Sequence, residues 1–201
     1  MHNDLWVAYE FAASMAPWLA WLAFQRRRNL PITNPTYYLL VTFAVYVIAV
    51  FHFTQAGTLY DLLNPAFVWE TNSINWHPFS TGISAVGYLL NVALFVPFGF
   101  LVPWLWRKMD RWILVVPAGT LFSLFIELSQ LFNDRITDVD DLIMNTLGVA
   151  IGYALFWGWR ALRGRLGKPL PVFALPTRTL VSSILILYFG RFLFFDETFI
   201  S

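Results

Sequence analysis

The stretch GTLFSLFIELSQLFNDRITDVDDLIMNTLGVAIG, residues 119–152, decides the fold. Two apolar runs flank a polar knot that holds Glu127, Gln130, Asn133, Asp134, Arg135, Asp138, Asp140, Asp141 and Asn145. In a soluble protein such a knot would be an acidic turn between two helices. Here both flanking runs have the length needed to cross a bilayer, about 20 mostly apolar residues. Every polar residue near them then carries the cost of leaving water.

Working outward, the whole chain has the same character. Of its 201 residues 58% are hydrophobic and only 12% charged, with ten Trp and twenty Phe, and the mean hydropathy is +0.60. A soluble domain of this length needs a more polar surface, so a single integral membrane domain over residues 1–201 is expected. A net charge of +1 gives no reason to expect a nucleic-acid partner. The absence of cysteine excludes a disulfide framework and thiol chemistry.

Six apolar segments follow one another: residues 5–25, 38–56, 83–106, 112–132, 141–159 and 179–195. The first is preceded by Asp4 and no basic residue and is followed by Arg26, Arg27 and Arg28, the reverse of a cleaved signal peptide. Residues 57–81 form a polar loop containing INWHPF at 74–79. A basic linker, residues 160–171, precedes the last segment. In lipid each backbone group must be bonded within its own segment, and a barrel would show short alternating strands instead. The expected fold is therefore all-α, a polytopic transmembrane helical bundle of about six spans.

Charge sets the expected orientation. Eleven of the thirteen basic residues fall after spans one, three and five, on one side of the membrane if the spans alternate. Basic loops stay in the cytoplasm, so both termini and the polar knot are expected to be extracytoplasmic. Only Arg135 and Arg191 among the basic residues fall outside, and only Asp110 among the twelve acidic residues falls inside.

With that orientation the intramembrane polar groups sort by depth. Glu127 and Gln130 lie at the outer end of span four, Asp141 and Asn145 at the outer start of span five, and Asn91 about two turns into span three. Glu10, His52, Gln55 and Arg191 also fall in outer halves, whereas the inner halves lack ionisable groups. Helical spacing makes stripes of Gly119, Ser123, Glu127 and Gln130, of Asp141, Asn145, Gly148 and Gly152, and of Ser84, Gly87 and Asn91. Small residues such as the Gly148-x-x-x-Gly152 pair let helices approach closely. The expectation is a polar pocket open outward, with tight packing beneath it.

Several of these residues have two readings. Gln130 and Asn91 fit ligand contacts or plain interhelical hydrogen bonds, worth about 0.6 kcal/mol each. Asp138 fits an N-cap with Asp141 in the first turn, favoured by the helix dipole. Arg135 fits a loop clasp on Asp134 or Asp138. His77 and His52 read as surface or packing histidines before they read as ligands. Glu127 is the strongest site candidate, because a carboxylate in lipid is costly unless it is paired or neutralised.

Taken in order, INWHPF (Asn75, Pro78, Phe79), Asn91, the PFGF of 97–100, SLFIELSQ at 123–130, Arg135, Asp138, Asp141 and NTLGVAIGY at 145–153 resemble the VanZ-like family of bacterial membrane proteins. The likeness covers about residues 70–155. It implies a cell-envelope role of the kind that gives resistance to teicoplanin-type glycopeptide antibiotics. It implies no reaction, so no catalytic residue carries over. The motif residues that do are Asn91, Glu127, Gln130, Arg135, Asp138, Asp141 and Asn145.

Three functions compete. The first, leaning away from an enzyme, is a binding or resistance protein whose pocket engages a membrane lipid, a lipid-linked cell-wall precursor or a lipoglycopeptide. Arg135 would meet a phosphate or carboxylate, and Gln130 and Asn145 would supply neutral hydrogen bonds. The second is an intramembrane enzyme with Glu127 as general acid or base, and with Mg²⁺ on Glu127, Asp138 and Asp141, hard oxygen ligands of the kind that ion takes. No nucleophile triad, zinc spacing or phosphate loop accompanies it, and no cofactor is the default. The third is a transporter, which the apolar inner halves disfavour.

Overall fold

A computed structural model describes residues 2–28, 30, 32–64, 74–75, 77–79, 85–133, 137–171 and 173–195. Arg135, Asp134 and Ser84, all singled out above, lie outside the described residues. The described residues hold seven α-helices: α1 (His2–Arg27), α2 (Asn34–Thr54), α3 (Leu59–Leu63), α4 (Ala85–Leu105), α5 (Trp112–Gln130), α6 (Val139–Arg165) and α7 (Thr177–Phe194). Two two-residue strands, β1 (Ile74–Asn75) and β2 (Thr137–Asp138), pair in parallel with Asn75 opposite Asp138.

The six long helices fall on the six apolar segments, and five of them are long and apolar enough to cross a membrane. The exception is α1. At 26 residues it measures about 39 Å at 1.5 Å per residue, long enough to span, but Tyr9, Glu10, Ser14 and Pro17 dilute its apolar run. Exposed side chains such as Val86, Leu89, Leu121, Leu155 and Trp157 supply the apolar outer surface that lipid requires.

Two local features go beyond the apolar pattern. Thr58 and Asp61 form a reciprocal capping box that starts α3 inside the expected loop. And α6 runs through the expected basic linker as far as Arg165. It stops where Gly167 takes φ +68, with Lys168 N–H on the Arg163 carbonyl and Gly167 N–H on the Gly164 carbonyl, the Schellman arrangement. The basic residues of that last turn complement the negative end of the helix dipole.

The chain divides into two compact units. The first comprises residues 1–73, 128–135 and 178–201. Its core includes Trp18, Leu22, Leu40, Phe43, Val47, Phe51 and Leu187. Within it Glu10 of α1 is buried between Arg191 and His52: its carboxylate accepts from Arg191 Nε at 2.6 Å and lies 2.6 Å from His52 Nδ1.

The second unit comprises residues 74–127 and 136–177. Here α4 and α6 pack backbone against backbone. A Cβ on Gly99 would fall 2.0 Å from the Val149 carbonyl oxygen, one on Gly148 2.2 Å from that of Val92, and one on Gly152 2.0 Å from that of Val96. No side chain fits in those gaps, so the glycines set the helix separation, as the small-residue stripe on α6 leads one to expect. Next to this contact Phe98 stacks on Phe122 of α5, 5.4 Å between ring centres.

Candidate functional site

Beyond the glycine contact, toward the start of α6, the same two helices exchange polar contacts. A helix N-terminus leaves backbone N–H groups without partners and carries a partial positive charge. The sequence answers with three aspartates. Asp138 is the N-cap, its carboxylate accepting the Asp140 N–H at 3.0 Å. Asp140 and Asp141 occupy the first turn.

Each aspartate then holds a second element. Asp138 accepts both hydrogen bonds of the Asn75 amide at 3.3 Å, across the β1–β2 pair. Asp140, 1% exposed, accepts the Tyr88 hydroxyl at 2.6 Å. It also accepts the Phe79 N–H on both oxygens, at 2.9 and 3.1 Å. Asp141 accepts from the Asn91 amide of α4. On the neighbouring helix α5, Glu127, 4% exposed, accepts the Asp138 N–H at 3.3 Å. One turn deeper, the Asn145 amide donates to Ser123 at 2.9 Å. Its own oxygen is buried without a hydrogen-bond partner among the described residues.

Asn75 and Phe79 are thus both held by the start of α6. The His77 N–H donates to Asn75 Oδ1 at 3.1 Å, and Phe79 takes a left-handed φ of 61°. For a phenylalanine that conformation costs about 1–3 kcal/mol and survives only where the surroundings impose it. The two-oxygen grip of Asp140 imposes it. The Phe79 ring meets Tyr88 edge-on at 6.0 Å and is 50% exposed, while His77 and Pro78 are exposed beside it.

Of the residues expected to form a site, Asn75, Phe79, Asn91, Glu127, Asp138, Asp141 and Asn145 come together here, with Pro78 on the exposed turn. Gln130 belongs to the first unit, where its amide nitrogen donates to the Thr54 carbonyl at 2.6 Å. Tyr88 and Asp140 are the two the ligand set omitted. Tyr88 precedes Asn91 by three residues and shares its helix face, a spacing that marks it once Asn91 is suspected. Among the described residues no group of three His, Cys, Asp or Glu could hold a metal ion. Asp138 and Asp141 hold the Asn75 and Asn91 amides.

No match was found among curated proteins or among solved structures. A family model, VanZ/LLP1, matches residues 37–162. The match is wider than the motif core at 70–155, taking in nearly all of α2, for which no signature was named, and most of α6; α1 and α7 fall outside it. With well over half of its length covered by that model, the chain belongs to the VanZ/LLP1 family.

Proposed function

We propose that the aspartate-lined end of α6 faces the outside of the cell and engages an amphiphile at the outer leaflet. The ligand class is a lipid-linked cell-wall precursor or a lipoglycopeptide of the teicoplanin type, and resistance to such antibiotics would follow from that engagement. The orientation rests on the eleven basic residues that sort to the opposite side. The observation that carries the proposal is the Phe79 turn: an exposed aromatic ring in a costly backbone conformation, held in place by a buried carboxylate. Strain of this kind clusters at ligand sites. The ring and the exposed Val86, Leu89 and Leu90 of α4 offer an apolar flank. The half-buried Asn75, Asn91, Asp138 and Asp141 offer a polar one.

The test is binding to protein in nanodiscs, using a lipid-linked muropeptide, teicoplanin and an unacylated glycopeptide. The two lipid-bearing ligands are expected to bind, and Asp141→Asn to weaken them at least tenfold at equal expression. Equal binding of the unacylated compound, or no binding of any of the three, would sink the proposal. Drug susceptibility of cells expressing each variant gives the matching readout.

A further inference from the structure

The other end of α4 and α6 has the opposite character. Arg107, Lys108 and Arg111 lie between α4 and α5, and Arg160, Arg163, Arg165 and Lys168 lie at and beyond the end of α6. The acidic residue among them, Asp110, is already paired with Arg160. Among the described residues Arg107 and Lys108 have no carboxylate partner, and Arg163 Nε is buried without a hydrogen-bond partner.

The chain after α6 does not trail away from this charge. It folds back, with the Phe173 N–H on the Trp104 carbonyl at 2.9 Å, the Arg107 N–H on the Phe173 carbonyl at 3.0 Å and the Leu175 N–H on the Leu105 carbonyl at 3.3 Å. The Trp104 indole donates to the Pro171 carbonyl at 2.6 Å. This clasp shapes two clefts that share Arg107. One, of about 260 Å³, is lined by Arg107, Asp110, Arg160 and Leu170. The other, of about 510 Å³, is lined by Arg107, Lys108, Ala174, Leu175 and Pro176.

We propose that these clefts bind the phosphate ester of an anionic amphiphile. Arg107, Lys108 and Arg160 present the forked and point charges that phosphate oxygens take, and Ala174, Leu175 and Pro176 give the adjoining chain an apolar seat. Basic clefts between helices at a membrane surface are suited to anionic head groups. Basic residues that only fix topology need be near the membrane but need no cleft, and that difference is testable. The site is separate from the aspartate-lined one and does not depend on its reading.

The experiment places the full chain in nanodiscs of phosphatidylcholine containing a minor fraction of phosphatidylglycerol, and counts retained lipids by native mass spectrometry. Phosphatidylglycerol is expected to be retained several-fold above its bulk fraction. That enrichment should vanish in R107Q/K108Q and persist in R165Q/K168Q, which removes equal charge from exposed positions outside both clefts. Equal retention of the two lipids by the wild-type protein, or an equal loss in the two double variants, overturns the proposal. Added inorganic phosphate separates the sources. Displacement of the lipid assigns the site to the phosphate group alone, and persistence assigns it to the whole phospholipid.

Discussion

The C-terminal end of α2 in the first unit and the N-terminal end of α6 in the second face the same physical problem and solve it in opposite ways. Each is a helix end that leaves backbone groups unpaired. At the end of α2 and just after it these are carbonyls, and the four of residues 54–57 are met by side-chain donors. Thr54 receives Gln130, Gln55 receives Asn133, Ala56 receives Arg191 and Gly57 receives Tyr188. Gly57 is wedged so closely against Ser129 that a Cβ would fall 2.1 Å from its carbonyl oxygen. At α6 the groups are N–H donors, and carboxylates meet them. The α2 end spends its polar side chains on holding the fold together. The α6 end spends its own on presenting an exposed, strained turn. The difference teaches that intramembrane polar residues need not mark a ligand site: their partners and the exposure around them decide.

The comparison can be broken most severely at Arg191. Arg191→Met leaves Glu10 buried without its guanidinium partner, and removing one member of a buried ion pair costs about 3–5 kcal/mol. A large fall in the thermal midpoint in detergent is expected, with much of it recovered in the double variant E10Q/R191M. An unchanged midpoint in the single variant would mean that the α2 end is not the lock described here. Asp140→Ala comes next. It removes the carboxylate that accepts both the Phe79 N–H and the Tyr88 hydroxyl. Amphiphile binding should fall further than stability does. Gln130→Met is the mildest. It removes one hydrogen bond to the α2 end, worth about 1 kcal/mol, and binding should stay at the wild-type level. A Gln130 variant that folds but does not bind would move this residue back into the ligand set.

The elements themselves were largely legible in the sequence, because a spanning helix announces itself by length and apolarity alone. The Gly148–Gly152 pair likewise announced a close helix contact, although not that Gly99 of α4 would face it. What the sequence hid was pairing over distance. Gln130 shares a stripe with Glu127, yet it is Thr54, 76 positions away, that takes its amide. Helical periodicity cannot see that the last turn of α5 groups with the first unit while Glu127 belongs to the second. Asp140 was hidden for a different reason. An acidic residue in a first turn is ordinary capping, and only the loop that folds over it gives it a second role. The Thr58–Asp61 box was there to be read, four residues long, inside a segment that looked like loop.

The most direct measurement is equilibrium binding of a fluorescent lipid-linked amphiphile to the wild-type protein and to Phe79→Gly. Glycine accepts the left-handed φ without strain, so stability should change by no more than about 1 kcal/mol. If the Phe79 turn and the aspartates beneath it form the ligand site, Phe79→Gly keeps its fold and loses at least tenfold in affinity. Wild-type affinity in a folded Phe79→Gly protein would contradict that assignment.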